Sequence, residues 1–154
     1  MGDIEIRSLK LGDTESATKY LYKAIKESDT YKHQDISKKK IAQTVTAAIM
    51  GDYNCIFGAF KENRIVGMLG GVLDVSWFSD TITLSDMGVY VDEEYRNTGV
   101  SYKLFYKWFE FGKNNGAKEV VFSLTAEKKY FKKMHDSFKK KFNFELMGIL
   151  LRRK

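Results

Sequence analysis

Apolar and polar positions along the chain follow two periods, and the switches between them outline its elements. Ile4 and Ile6 alternate with polar neighbours and predict a first strand. Ala17, Tyr20, Leu21, Ala24 and Ile25 recur at helical spacing behind Asp13 or Thr14, either of which suits a helix cap. A polar connection with Tyr31, His33 and Gln34 leads to Ser37, a cap for a second helix with face Ile41, Val45, Ala48 and Ile49. Gly51 to Asn54 turn the chain. Residues 55–60 and 64–73 predict two strands joined by a hairpin, and an aromatic loop around Trp77 and Phe78 leads to a strand over 81–91. A helix over 100–113, a break near Gly116, a strand over 119–124, a helix over 127–141 and a last strand over 144–151 complete the chain. The order is β-α-α-β-β-β-α-β-α-β. With no proline, linker or repeat, one domain over residues 1–154 is expected.

The strand over 81–91 carries a phase error. Ile82 and Leu84 are apolar at even positions; Met87, Val89 and Val91 are apolar at odd ones. Side chains alternate faces with period two, so a regular strand cannot hold both sets on one face. One extra residue near Ser85 or Asp86 restores the phase, as a β-bulge does. Gly88 fits a place of close backbone approach. A strand buried on both faces would need no bulge.

Composition narrows the function classes. The 154 residues are 44% apolar and 30% charged, ordinary for a globular protein. The net charge of +6 comes from 21 lysines and 5 arginines against 20 acids, which suits either an anionic ligand or a solvated surface. One cysteine, Cys55, excludes an intramolecular disulfide, and two histidines, His33 and His135, argue against a metal site. The N-terminus has no apolar leader core, so a cytoplasmic location is expected, and the longest apolar run, residues 65–73, is too short to cross a bilayer.

Candidate chemistry concentrates where the phase-shifted strand empties into a helix through Tyr95-Arg96-Asn97-Thr98-Gly99. A helix start leaves backbone N–H groups without intrahelical partners, and its dipole favours anions. Such a terminus suits phosphate. Gly99 permits a tight turn and close approach, Asn97 tolerates a left-handed backbone, Arg96 adds a permanent charge, and Ser101 adds a small hydroxyl. Alone, an ordinary strand-to-helix loop would look similar.

The stretch from Val91 to Ser101 resembles the acetyl-CoA-binding motif of the GNAT N-acetyltransferases, [QR]-x-x-G-x-[GA] after a strand with V-x-x-x-[YF]. Arg96 and Gly99 match the motif, Ser101 replaces its last small residue, and Val91 and Tyr95 match the lead-in. The element order extends the resemblance over nearly the whole chain. It implies an α+β fold: a mixed, mostly antiparallel sheet flanked by helices and splayed at its fourth and fifth strands, with the fourth bulged. It implies acetyl-CoA as co-substrate, with the stretch Val89, Tyr90 and Val91 along the pantetheine arm, held by the backbone of Val89 and Val91. The amides of Arg96, Asn97, Thr98, Gly99, Val100 and Ser101 would hold the pyrophosphate. The implied reaction is direct acetyl transfer to an amine in a ternary complex.

The catalytic groups are less defined. Asp86, at the expected bulge, could take the proton of the attacking amine directly or through water, or simply bond its own backbone. The family's last helix often carries a tyrosine five residues before a Gly-Phe pair; anchored on Asn143-Phe144, that position holds Lys139. Tyr130 lies on the same helix in another register and is the candidate proton donor to the leaving thiolate, with half-buried packing as the competing reading. The acceptor is open among small amines, protein amines and aminoacyl groups. Two rivals stand beside the enzyme: a GNAT-fold CoA binder without turnover, and a basic module binding nucleic acid through the lysines between Lys128 and Lys141. A homodimer is compatible with such a fold. The aromatics Tyr102, Phe105, Tyr106, Trp108, Phe109 and Phe111 are expected in the core, while Lys103, Lys107 and Glu110 face water.

Overall fold

The computed structural model describes residues 3–125, 128–148 and 152, excepting the side chains of Lys128 and Lys129. The chain divides into two compact units between Ser123 and Leu124. The first holds β1 (Glu5–Ser8), α1 (Thr14–Glu27), α2 (Lys38–Met50), β2 (Asn54–Lys61), β3 (Arg64–Val75), β4 (Ile82–Val91), α3 (Val100–Asn114) and β5 (Glu119–Val121). The second holds α4 (Lys128–Phe142).

In the first unit the strands form one sheet in the order β1-β2-β3-β4-β5, antiparallel except for the β4–β5 pair. The β2–β3 hairpin turns on Glu62 and Asn63, at φ 49° and 65°. Two left-handed residues in a two-residue loop match the right-handed twist of the strands they join. Ser37 caps α2 by accepting the Lys40 N–H at 3.3 Å. Asp13 stands at the start of α1, but its carboxylate turns back to Arg7 at 2.7 and 3.0 Å and to the Lys10 N–H.

One sheet face packs Leu9, Ile56, Phe60, Ile65 and Met68 against Ala17 of α1 and Val45 and Ala48 of α2. The other face carries α3, whose Leu104, Phe105 and Trp108 are buried. Two glycines let that helix sit close. A Cβ on Gly71 would lie 2.2 Å from Trp108 Nε1, and one on Gly112 would lie 2.8 Å from Leu84 Cδ2. Tyr106 does not join this core. It is 64% exposed, and Lys103, Lys107 and Glu110 on the same helix are exposed as well.

The second unit centres on α4, where Phe138 and Phe142 meet 5.7 Å apart and Phe144 closes on Phe138 at 5.8 Å. The expected strand over 144–151 is not formed at 144–148, and its remainder lies outside the described residues. The fifth strand also ends early, at Val121 rather than 124.

Candidate active site

The site grows out of an irregularity in β4. Gly70 pairs with Gly88, but Gly71 pairs with Asp86, so Met87 is an extra residue on β4. The expected bulge is present, one or two positions further along. Its effect on phase is as reasoned: Leu84 and Val91 are both buried, although they stand seven positions apart. Met87 itself is 48% exposed, not a member of the buried set, because the bulged residue is the one that leaves the alternation.

Beyond the bulge, β4 loses its neighbour. The parallel pairing of β4 with β5 runs only from Thr83–Glu119 to Ser85–Val121, while β4 continues to Val91. The bond from the Asp92 N–H to the Val66 carbonyl fixes which residues face β3. Antiparallel pairs alternate, so Tyr90 and Gly88 exchange bonds with β3, whereas Val89 and Val91 turn N–H and C=O toward the gap. The Arg96 Nε donates to the Val91 carbonyl at 3.0 Å, as that orientation requires. An extended arm can therefore pair with Val89 and Val91 as an added strand does, while the Tyr90 backbone is committed elsewhere. The Tyr90 ring carries the Arg96 guanidinium 5.6 Å above its centroid and meets Tyr20 edge-on at 5.7 Å. Burial, with Asp92 beside it, raises the Tyr20 pKa.

The loop that follows has the backbone geometry to receive an anion. Tyr95 is buried, and its hydroxyl accepts from Arg64 at 3.2 Å, which pins the turn. Asn97 at φ 66° and Gly99 at φ 89° are both left-handed, and Gly99 is the residue before α3. No side chain caps α3. Its first bond is the Lys103 N–H to the Gly99 carbonyl, so the amides of Val100 and Ser101 precede the intrahelical ladder. The amides of Arg96 and Thr98 bond within the turn, to Glu93 and Tyr95. A Cβ on Gly99 would meet no atom within 4 Å, so the backbone there faces open space. These groups fit a pyrophosphate at the helix start.

Asp86 spans the parting of the strands. Its Oδ1 accepts the Ser123 N–H at 2.6 Å, just past the end of β5. Burial lifts its pKa above the ordinary carboxylate value; bonds from Ser123, its own amide and Gly88 act in the opposite direction without cancelling the rise. Asp86 thus stands where the β4–β5 pairing ends, at the mouth of the gap. Ser123 carried no signal in the sequence, because its role depends on a pairing that ends 37 residues along the chain from its partner.

The first unit therefore brings together Asp86, Val89, Tyr90, Val91 and the run from Arg96 to Ser101. Tyr130 belongs to the second unit, on α4, and is 48% exposed. His135 stacks on Phe131 and contacts Asp136 at 3.3 Å. Cys55 is buried, and burial pushes its thiol up to about 12, so it is inert as a nucleophile. Among the described residues there is no cluster of metal-ligating side chains, and no helix is long and apolar enough to cross a membrane.

A bulged strand parting from its parallel neighbour beside an uncapped helix start is the architecture of an acyl-CoA-dependent transferase. The chain belongs to the acetyltransferase (GNAT) family, whose model matches residues 18–144. That membership makes it an N-acetyltransferase with acetyl-CoA as co-substrate. No curated protein matches it by sequence. Its fold is similar to that of aminoglycoside acetyltransferase AAC(6')-Iy bound to a bisubstrate analogue, CoA-S-monomethyl-acetylneamine, at 19% identity, TM-score 0.76 and 99% coverage of each chain. It is also similar to an aminoglycoside acetyltransferase from an uncultured soil metagenomic sample in complex with sisomicin (18%, 0.72, 98% of this chain and 95% of that one). A third is glucosamine-6-phosphate N-acetyltransferase from Arabidopsis thaliana (13%, 0.73, 99% and 98%).

Proposed function

We propose that residues 1–154 form a single acetyltransferase domain that moves acetyl from acetyl-CoA to a primary amine on a small polar molecule. The observation that carries the assignment of the cofactor site is Gly99: left-handed, open to solvent on its Cβ side, and set at an uncapped helix start beside the strand gap. The family match crosses the boundary between the two compact units, which supports one domain. The fold's likeness to enzymes named for aminoglycosides and glucosamine 6-phosphate supports a small aminated acceptor. A cytoplasmic location belongs to the same proposal.

In this reading acetyl-CoA supplies an activated acetyl thioester. The outward backbone of Val89 and Val91 holds the pantetheine arm, and the amides of Asn97, Gly99, Val100 and Ser101 hold the pyrophosphate. Arg96 locks the strand end through Val91 and adds positive charge. Asp86 accepts the amine proton directly or through water, its raised pKa bringing it closer to the working pH. The bulge leaves the Met87 N–H outside the sheet ladder, a donor for the charge developing on the carbonyl oxygen. Tyr130 supplies a proton to the departing thiolate.

The test is Gly99→Val. Acetyl-CoA at 100 times Kd should stabilise the wild-type protein by about 2.7 kcal/mol. The variant places a branched side chain where the anion would lie and should lose most of that shift while keeping its circular dichroism. No thermal shift of the wild-type protein at millimolar acetyl-CoA would overturn the assignment. CoA release measured over aminoglycosides, amino sugars, polyamines and peptide amines identifies the acceptor.

A further inference from the structure

The charge of this protein is concentrated in one helix. The whole sequence has 26 basic and 20 acidic residues, a net +6. α4 has seven lysines and one aspartate, the same +6, so the remaining chain balances at 19 of each sign. A surface charged for solubility would not need that concentration.

The lysines are also ordered around the helix axis. At about 100° per residue, positions 128, 129, 132, 133, 139 and 140 fall on an arc of about 140°, with only Asp136 among them. Met134, Phe138, Phe131 and Phe142 lie on the opposite arc. Lys132, Lys133, Lys139 and Lys140 are exposed, and Lys132, at 90% of its side chain, forms a surface ion pair with Asp136 at 3.0 Å. Helix stability accounts for part of this pattern, since the dipole favours Lys139, Lys140 and Lys141 in the last turn and Lys132 pairs with Asp136, but not for the first turn. Like charges stand at i,i+4 in the pairs 128/132 and 129/133, and two lysines with no acid occupy the first turn, where the dipole favours negative charge.

We infer that the lysine face of α4 docks the enzyme on the phosphate backbone of double-stranded nucleic acid, independently of base sequence. The lysines run along most of a helix about 22 Å long, a linear ridge matched to a linear array of phosphates. The lysine arc carries no aromatic residue to stack on bases, so contact is with the backbone. An anionic membrane fits less well. A helix lying in a lipid interface inserts its apolar face, and here Met134, Phe138 and Phe142 of that face are half-buried, with Phe138 and Phe142 packed on Phe144.

The probe is a labelled duplex DNA of mixed sequence, about 24 base pairs long, titrated from 50 to 200 mM salt. The wild-type affinity should fall with a log–log slope of roughly −4 to −6. Changing Lys132, Lys133, Lys139 and Lys140 together to glutamine should reduce the slope by about 3.6, flattening the loss over that salt range by about 10²-fold. The same four positions as arginine should retain binding, and acetyl-CoA should stabilise both variants as it does the wild type. That last readout separates this inference from the cofactor assignment. Absence of binding at 50 mM salt, an unchanged slope in the glutamine variant, or tighter binding to phosphatidylserine vesicles or polyglutamate would overturn it.

Discussion

Asp86→Asn separates the strut that the carboxylate forms from the base it is proposed to be. The Asp86 Oδ1 accepts the Ser123 N–H at 2.6 Å across the end of the β4–β5 pairing, and an asparagine Oδ1 can keep that bond. Asparagine cannot take a proton from an amine. The expected loss is therefore in kcat, by roughly 10²–10⁴, the range for a general base. That corresponds to about 2.7–5.4 kcal/mol of barrier, at 1.36 kcal/mol per tenfold. The KM for acetyl-CoA should stay within about threefold, because the strut between the strands survives. Asp86→Ala removes strut and base together, forfeiting a hydrogen bond to a charged group worth about 1.5–3 kcal/mol. It should lower kcat and raise the acetyl-CoA KM. Stability should move the other way in the asparagine variant. The folded-state pKa of Asp86 is raised, chiefly by burial, so its contribution to stability is complete below the unfolded carboxylate pKa and is lost as pH rises through the folded one. Removing the charge should raise the Tm relative to wild type at pH 8, and the difference should vanish toward pH 4. The assay is CoA release with the identified acceptor, and slow hydrolytic release beforehand. A kcat loss below tenfold would refute the base, and a rise in acetyl-CoA KM equal to that of the alanine variant would refute the strut.

Tyr130→Phe should lower kcat by about 10²-fold with acetyl-CoA binding unchanged, and the deficit should shrink as pH passes the thiol pKa and the leaving group no longer needs a proton; an unaltered kcat would remove Tyr130 from the mechanism. Trp108→Ala should cost about 3–5 kcal/mol, since the ring is fully buried against Phe105 at 5.8 Å; urea unfolding measures it. Cys55, buried and pushed up to about 12, should resist a thiol reagent in the folded protein and react on unfolding. Fast labelling of the native state would contradict its packing.

Local chemistry made much of this protein legible in one dimension. The strand and helix periods placed nine of the elements, because side-chain periodicity is set by the backbone geometry of each segment alone. The Asn97 and Gly99 positions in the loop were readable for the same reason: tolerance of positive φ belongs to the residue itself. Even the bulge showed, since a broken alternation from Leu84 to Val91 is a local mismatch. Where the extra residue sits was another matter. Met87 rather than Asp86 leaves the ladder because Gly70 and Gly71 on β3 decide which residues pair, and that choice is made across strands.

The early end of β5, the turn of the Ser123 amide onto Asp86 and the exposure of Tyr106 belong to tertiary structure as well. Each depends on which distant surface a residue meets, and an aromatic on a helix gives no sign of its neighbour. The gap proposed for the cofactor is of this kind. The sequence determined two strands able to bond on both edges; only their parallel pairing, ending at Ser85 and Val121, left one edge of β4 open.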